Sequence, residues 1–462
     1  MQYSIVNLSE VKENSDFRID AEFYHPFYTT KYNKIISKNY IKFKDIILSI
    51  KNGDDFREYL ENGKKYIRTG DFDSNGLDLS KCVKVKENLK SKIKLNCGDL
   101  LITRKGNYGK VDVVNSDNID SFISSEIFHI ILNKKIDPFF IKIYINSDYG
   151  LSFIERYIHG ISNFSITQDS LKEMLIPLLS PPFQQSIADL VNTSYTLRQS
   201  ADTLYKEAEE ILLEELGLKN YQPQNKKCFV KMLSDTQEAG RIDAEYFQPK
   251  YEDVIDKIKK YKNGYYSLKD VCNITSGSFV SDEFYCEKGL IPYIRIKELN
   301  FKGQINKNEI VYLNDKFIIK NEITVENEDF VIATIGNTIG KICIIDNSLV
   351  GAIPSNNTSK ISLNNKQNSL YYLLLFQSFI FQQQIERQYT QTAQPKISDN
   401  QLYSIIIPLL PQSIQSQISA KIQQSFESRE KSKQLLEVAK MAVEIAIEEN
   451  EEAGLKYIEE NK

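Results

Sequence analysis

The chain has 462 residues, 41% apolar, 26% charged and 11% aromatic, which excludes a disordered or collagenous chain and supplies core for about two to four domains. Its formal charge is 58 − 62 = −4, so no uniformly basic surface is expected and the distribution of charge has to be read locally. No run of eighteen apolar residues occurs, and Met1 opens onto MQYSIVNLSEVKEN without a basic start and apolar block. Neither a membrane span nor a secretory signal is therefore expected, and the expected location is cytoplasmic.

The first distinctive string is RIDAEFYHPFY, Arg18 to Tyr28, which reads as a short helix ended near Pro26. Strand-like runs follow in KYIRTGDF, GDLLITRKG and GKVDVVN, bounded by Gly, Asp and Asn. From Lys81 to Lys110 nine basic residues face only Glu87 and Asp99, a local excess that suits a DNA backbone. DPFF, Asp137 to Phe140, reads as a turn starting a helix at Pro138. IPLL, Ile176 to Leu179, precedes a helix over Phe183 to Gly217, and KNYQPQN with Pro223 forms a linker. In that helix Ile187, Leu190, Ser194, Leu197, Ala201, Leu204, Ala208 and Ile211 alternate steps of three and four, a coiled-coil seam.

The second half repeats the first. RIDAEYFQPKY returns at Arg241, YIR at Tyr293, EDFVIATIGNTIGKI at Glu328 and IPLL at Ile407, with offsets of 223, 227, about 230 and 231. A second seam follows through Ile418, Ile422, Ser425, Arg429, Ser432, Leu436, Ala439, Val443 and Ala446. From Glu444 to Lys462 seven acids face Lys456 and Lys462, an acidic helical end. Seams that mix small and polar residues with aliphatics imply that the two helices pack on each other or on a partner.

Chemistry is sparse. Cys82, Cys97, Cys228, Cys272, Cys286 and Cys343 are scattered without a CxxC, and are expected to be reduced and mostly buried. His25, His129 and His159 lie far apart and support no triad or metal motif. The turns Gly106 to Lys110 and Gly336 to Lys341 lack Walker spacing and a following Ser or Thr, so they read as glycine turns able to sit against a phosphate or base edge. No cofactor loop for a methyltransferase is found, and Glu10 to Lys12 has no acidic partner for a nuclease. The charges of Arg18, Asp20, Glu22 and of Arg241, Asp243, Glu245 read as intrachain pairs or docking groups.

Two related halves, each opening on RIDAE-aromatic-x-P and closing on IPLL, FQQSIADLV or IQSQISAKI and a long helix, resemble the specificity (S) subunit of type I restriction-modification systems over essentially the full chain. In that family the closing block is an IP-x-P-P-x-x-E-Q-x-x-I run, with Gln184 and Gln185 standing at its E-Q positions in the first copy and Ser416 and Gln417 in the second. The resemblance implies an α+β fold with two related target-recognition domains, separated by two long antiparallel coiled-coil helices in a pseudo-two-fold repeat. The expected boundaries are an N-terminal segment 1–29, recognition domain 30–180, central spacer helix 181–217, linker and repeated segment 218–254, recognition domain 255–412 and C-terminal spacer helix 413–462.

Similar proteins read one half of a bipartite target in double-stranded DNA with each domain, while the helices hold modification (methyltransferase) subunits and set the spacing of half-sites. Restriction subunits join through the complex, no membrane is involved, and this chain is expected to be non-catalytic. S-adenosylmethionine, ATP and Mg are expected on the partner subunits, with no cofactor on this one. Repeat position and residue type select Arg68, Arg104, Lys105, Asn107, Tyr108 and Lys110 in the first domain as DNA-binding candidates. In the second they select Arg295, Lys297, Asn337, Thr338, Lys341 and Lys396. Two other readings stay open: a stand-alone methyltransferase or nuclease with an unrecognised site, and a coiled-coil scaffold without sequence-specific DNA binding.

Overall fold

The duplicated strings fold into two copies of one strand arrangement. The computed structural model describes residues 5–13, 18–73, 76–79, 82–158, 164–222, 226–318, 322–389 and 394–462. Lys81, His159 and Pro223, named above, lie outside them. The chain divides into a first unit, Met1–Gln199 with Ser428–Lys462, and a second, Ser200–Glu427.

In the first unit a four-stranded antiparallel sheet runs in the order Ile47–Asn52, Ile127–Leu132, Leu100–Thr103, Val111–Val113. Leu100 and Ile102 face a core with Phe128, Ile130, Phe140 and Tyr144, while Leu101 faces another with Ile67, Phe72 and Ile123. Because both faces are covered, the run is buried throughout instead of alternating. The second cover is a small sheet of Val83–Val85, Lys64–Ile67 and Phe122–Ile123, whose last pair is parallel. The chain is thus α+β, with helices on one face of the main sheet and a small sheet on the other.

The second unit has the same order: Cys272–Ser276, Thr358–Leu363, Phe330–Ala333, Ile342–Ile344. The register is also kept, with Leu101 opposite His129 in one unit and Val331 opposite Lys360 in the other. Its small sheet again ends in a parallel pair, Ile291–Ile294 with Ile353–Pro354. Each IPLL begins in a strand, Leu175–Pro177 against Tyr40–Lys42 and Ile406–Pro408 against Tyr265–Ser267.

The long helices are Pro181–Glu215 and Gln412–Glu448. Within the first unit Ser194 and Ser432 meet Oγ to Oγ at 2.8 Å, and Ser432 also donates to the Ser194 carbonyl at 2.9 Å. Within the second unit Ser425 Oγ donates to the Ala201 carbonyl at 2.7 Å and Lys421 pairs with Glu207 at 2.6 Å, so these stretches run antiparallel. The serines of the seam are buried because each hydroxyl finds an acceptor on the facing helix.

Several expectations are corrected. Pro26 and Pro249 do not end a helix; each begins one, Pro26–Ile36 and Pro249–Lys259, because a first-turn proline forfeits no helical hydrogen bond. The expected boundary at 254/255 falls inside the second of these helices. The C-terminal helix is not continuous to 462: it stops at Glu448, and Asn450 caps a separate helix Glu451–Asn461 by accepting from Ala453 N at 3.0 Å. A Cβ on Gly454 would lie 2.7 Å from the Ala442 carbonyl and 2.9 Å from the Phe183 ring, so only glycine lets the last helix fold back on the preceding one. The closing block is matched by Gln415, not Ser416: Gln184 Nε2 donates to Leu179 O at 2.8 Å and Gln415 Nε2 to Leu410 O at 2.9 Å.

All six cysteines are free, but only Cys272 and Cys343 are buried, with burial pushing both thiols up to about 12. His129 is not unsupported: buried among apolar strands, its Nε2 lies 2.6 Å from Asp99 Oδ2. The helix at Pro138 is as expected, with Asp137 accepting from Phe139 N and Phe140 N.

Candidate nucleic-acid interface

The RIDAE segments are built into the fold. Arg18 grips Asp20 through two hydrogen bonds of 2.7 and 2.9 Å and donates to the Arg156 carbonyl at 3.2 Å. Arg241 repeats this with Asp243 at 2.8 and 3.0 Å and the Gln388 carbonyl at 2.9 Å. The guanidiniums of Arg18 and Arg156 lie 4.8 and 4.1 Å from the Phe23 ring centre, and those of Arg241 and Arg387 lie 4.5 and 4.4 Å from that of Tyr246. These charges are spent on intrachain pairing.

Candidate DNA contacts gather on the turns between sheet strands. In the first unit the turn 104–110 joins Leu100–Thr103 to Val111–Val113. Thr103 Oγ1 donates to Asn107 O at 2.5 Å and accepts from Lys110 N at 2.9 Å, closing the turn from inside. Gly106 has φ +70° and open space where a Cβ would stand, as has Gly336 at φ +84°. Lys105 forms a bridge with Ser165, and Gly106 N donates to Phe164 O at 3.2 Å. In the second unit Ile335 bridges to Lys396, and Gly336 N donates to Pro395 O at 2.9 Å. Each turn is thereby joined to a segment far along the chain.

The Asn107 side chain donates to Thr69 O at 3.4 Å and Phe72 O at 3.1 Å, which places the Arg68 turn beside it. Arg68 stands 5.2 Å from the Tyr59 ring centre, and its backbone N donates at 2.7 Å to Asp71, whose carboxyl burial raises above its ordinary value. Arg104 is half-buried over Phe128 at 5.5 Å, with NH1 on the Ser125 carbonyl at 3.4 Å. Tyr108 packs on Phe164 at 6.2 Å, and burial raises its pKa.

In the second unit Arg295 NH2 is 2.5 Å from Glu298, whose side chain is fully buried, so this guanidinium anchors its own turn. Lys297 is exposed and pairs with Glu309 at 3.2 Å. Lys341 lies 4.9 Å over the Phe301 ring, Thr338 is half-buried, and Asn337 and Lys396 are exposed. The structure therefore brings Arg68, Arg104, Lys105, Asn107, Tyr108 and Lys110 to neighbouring turns of one unit. Asn337, Thr338, Lys341 and Lys396 share the equivalent turns of the other. Of the basic stretch, Lys86 pairs with Glu58 at 2.9 Å, while Lys90, Lys92 and Lys94 are exposed without an ion pair among the described residues.

One group of polar residues was missed by sequence reasoning. Lys142 Nζ binds Asp112 Oδ1 at 2.8 Å and Tyr195 Oη at 2.9 Å, and Tyr195 also donates to Asp112, tying the strand behind the turn 104–110 to the long helix. Its only signal was a charge inside each of the apolar runs VDV and FFIKIYI. Among the described residues no group of three or more His, Cys, Asp or Glu could hold a metal, and no helix is long and apolar enough to cross a membrane.

Residues 259–440 match the family model described as type I restriction modification DNA specificity domain. The match places a type I restriction modification DNA specificity domain in that span. The matched specificity domain takes in the second unit's sheets, its turn 334–341 and most of the helix Gln412–Glu448. No curated protein matches the chain. Among solved structures it is similar to the type I restriction-modification S subunit from M. genitalium, at 13% identity and TM-score 0.41 over 91% of this chain and 95% of that one. It is also similar to the HsdS subunit from Thermoanaerobacter tengcongensis, at 15% identity and TM-score 0.30 over 89% and 97% of the two chains.

Proposed function

We propose that the chain is the DNA sequence-specificity subunit of a type I restriction-modification complex, each unit reading one half of a bipartite, asymmetric target. The observation that carries this is the pair of turns 104–110 and 334–341, held at equivalent places on one duplicated frame but bearing different side chains. Equivalent frames would dock alike on DNA, and unlike turns would read unlike half-sites. Lys105, Lys110, Lys297, Lys341 and Lys396 would meet phosphates, Arg68, Arg104, Asn107, Tyr108, Asn337 and Thr338 would face base edges or groove walls, and Arg295 would hold its turn in place.

In this reading the two recognition domains are separated by the long antiparallel helices, which dock methyltransferase subunits and set half-site spacing. The chain is non-catalytic and works in the cytoplasm; S-adenosylmethionine, ATP and Mg act on the methyltransferase and restriction subunits. Support comes from the family match, from the pairing of the RIDAE arginines and aspartates within the chain, and from the polar seam of the helices.

The test is to express the chain with its neighbouring modification subunit in an unmodified host and sequence the genome for methylated bases. A split motif with two unlike half-sites at constant separation is expected. Methylation by the chain alone would replace this reading with an enzyme, and complexes that bind every duplex equally would replace it with a scaffold.

A further inference from the structure

The two units treat one pair of carboxylates differently. In the second unit Lys250, only 9% exposed, places its ammonium 3.3 Å from Glu245 and 3.4 Å from Glu386, and 4.5 Å from the Tyr251 ring centre. The repeat offsets carry Glu245, Lys250, Tyr251 and Glu386 onto Glu22, Phe27, Tyr28 and Glu155 of the first unit. There the lysine is absent. Glu22 and Glu155 are exposed and line a cavity of about 540 Å³ with Phe27, Tyr28, Tyr108 and Phe164.

Charge counting gives the same contrast. Setting aside the matched pairs Arg18–Asp20 and Arg241–Asp243, the second unit sets Arg387 and Lys250 against Glu245 and Glu386, which balance. The first sets Arg156 against Glu22 and Glu155, one negative charge in excess while His25, which also lines the cavity in place of the second unit's Gln248, is neutral. Lys31 lies 4.2 Å from the Phe27 ring centre, is not part of the cavity lining, and is already paired with Asp148 at 3.6 Å. No other cation among the described residues pairs with Glu22 or Glu155. Burial and the neighbouring Glu155 both raise the Tyr28 pKa, so its phenol stays neutral and adds no further negative charge.

We propose that this cavity of the first unit receives the primary ammonium of a lysine side chain from a bound protein partner, in the place that Lys250 fills from within the second unit. Aromatic walls suit the methylene stem and attract the charged head, and the two carboxylates accept its hydrogen bonds. A single excess negative charge matches a monocation, which favours a lysine over a free diamine. A metal is disfavoured, since among the described residues no group of three or more His, Cys, Asp or Glu could hold one. The cavity borders the turn 104–110 through Tyr108 and Phe164, but the two carboxylates and the ammonium they would bind do not depend on the specificity assignment.

The experiment titrates the full chain with Nα-acetyl-lysine methylamide, followed by saturation-transfer NMR. The norleucine analogue serves as the uncharged isostere, and putrescine as the free diamine. Saturable binding of the lysine compound is expected, weakened about tenfold or more in Phe27→Lys, which transplants the internal ammonium, and in Glu155→Gln, which removes one negative charge. Circular-dichroism melts establish that the variant proteins are folded, and either variant alone decides the outcome. Absence of saturable binding, equal binding of the norleucine analogue, unchanged binding in a folded variant, or tighter binding of putrescine would each overturn the proposal.

Discussion

Lys142 Nζ stands 2.8 Å from Asp112 Oδ1 with both side chains withdrawn from solvent, and the second unit has Leu373 and Cys343 at the equivalent positions. One frame thus tolerates both an ionic and an apolar solution at the same place. The ionic one is held by Tyr195 and by the Leu77 amide at 2.6 Å from Asp112, while the residue equivalent to Tyr195 is Phe426. Burial works to raise the Asp112 pKa, but the Lys142 charge and these hydrogen bonds leave it lowered.

Replacing Lys142 alone by Leu strands a buried carboxylate and is expected to cost about 3–5 kcal/mol. The triple change Asp112→Cys, Lys142→Leu, Tyr195→Phe, copying the other unit, is expected to be neutral or stabilising by up to about 4 kcal/mol. Urea unfolding of the full chain, resolving the transition of the first unit, checks both.

Acid lowers the contribution of the RIDAE pairs. Hydrogen bonding by Arg18 and Arg241 holds the Asp20 and Asp243 carboxyls below their ordinary value of 3.8. Groups with a depressed folded pKa stabilise fully above the unfolded value, and that stabilisation disappears as pH falls through the folded value. The stability gap between the native chain and Asp20→Asn, Asp243→Asn should be constant from pH 7 to about 5, then shrink towards pH 2. Urea midpoints across that range measure it; a gap that widens in acid contradicts the assignment.

Buried hydroxyls of the helix seam depend on each other. Ser432→Ala leaves Ser194 without its partner and should cost about 1 kcal/mol or more, whereas the double change Ser194→Ala, Ser432→Ala should cost less than the sum of the singles. A double-mutant cycle by thermal unfolding reads this coupling.

DNA contacts separate by salt. Lys105→Ala, Lys110→Ala and Lys396→Ala in the assembled complex should weaken all duplexes alike, each lowering the slope of log K against log salt by about 0.9. Asn337→Ala and Thr338→Ala should relax preference in one half-site only. Fluorescence anisotropy over a salt series, with each half-site scrambled in turn, distinguishes the two classes.

Spacing tests the helices. Four residues inserted after Ala201 add about 6 Å of helix and should lengthen the recognised spacer or abolish binding. Methylated motifs read from the host genome give the answer, and an unchanged spacer with full activity removes the ruler role.

The repeat, the paired helices and the turns were legible because they rest on local signals: identical strings at slowly drifting offsets, a seam of three-four steps, and Gly-Asn between β-branched runs. Seam residues such as Ile187, Ser194, Ala201, Ile418 and Ser425 are indeed buried. What escaped depends on contacts between distant residues. Asp112 meets a lysine 30 positions away and a tyrosine 83 positions away, and nothing local reports either. Asp99 and His129 meet for the same reason, through pairing of their strands. The helix at Pro26 and the helix end at Glu448 were misplaced although their signals are local, because a proline is compatible with both ends of a helix and the cap Asn450 is easily overrun by a continuing apolar period.

The contrast between Asp112, Lys142 and Tyr195 and their counterparts limits how natural or laboratory recombination can shuffle this gene. Moving the first unit's strands onto a helix carrying Phe426 at the equivalent place would leave a buried ion pair short of a hydroxyl. The reverse graft would set Tyr195 against Cys343 and Leu373, with a phenol and no acceptor. Exchange that keeps each segment beside its own stretch of helix carries neither penalty, so chimeras should survive by swapping like for like and fail when the halves are crossed.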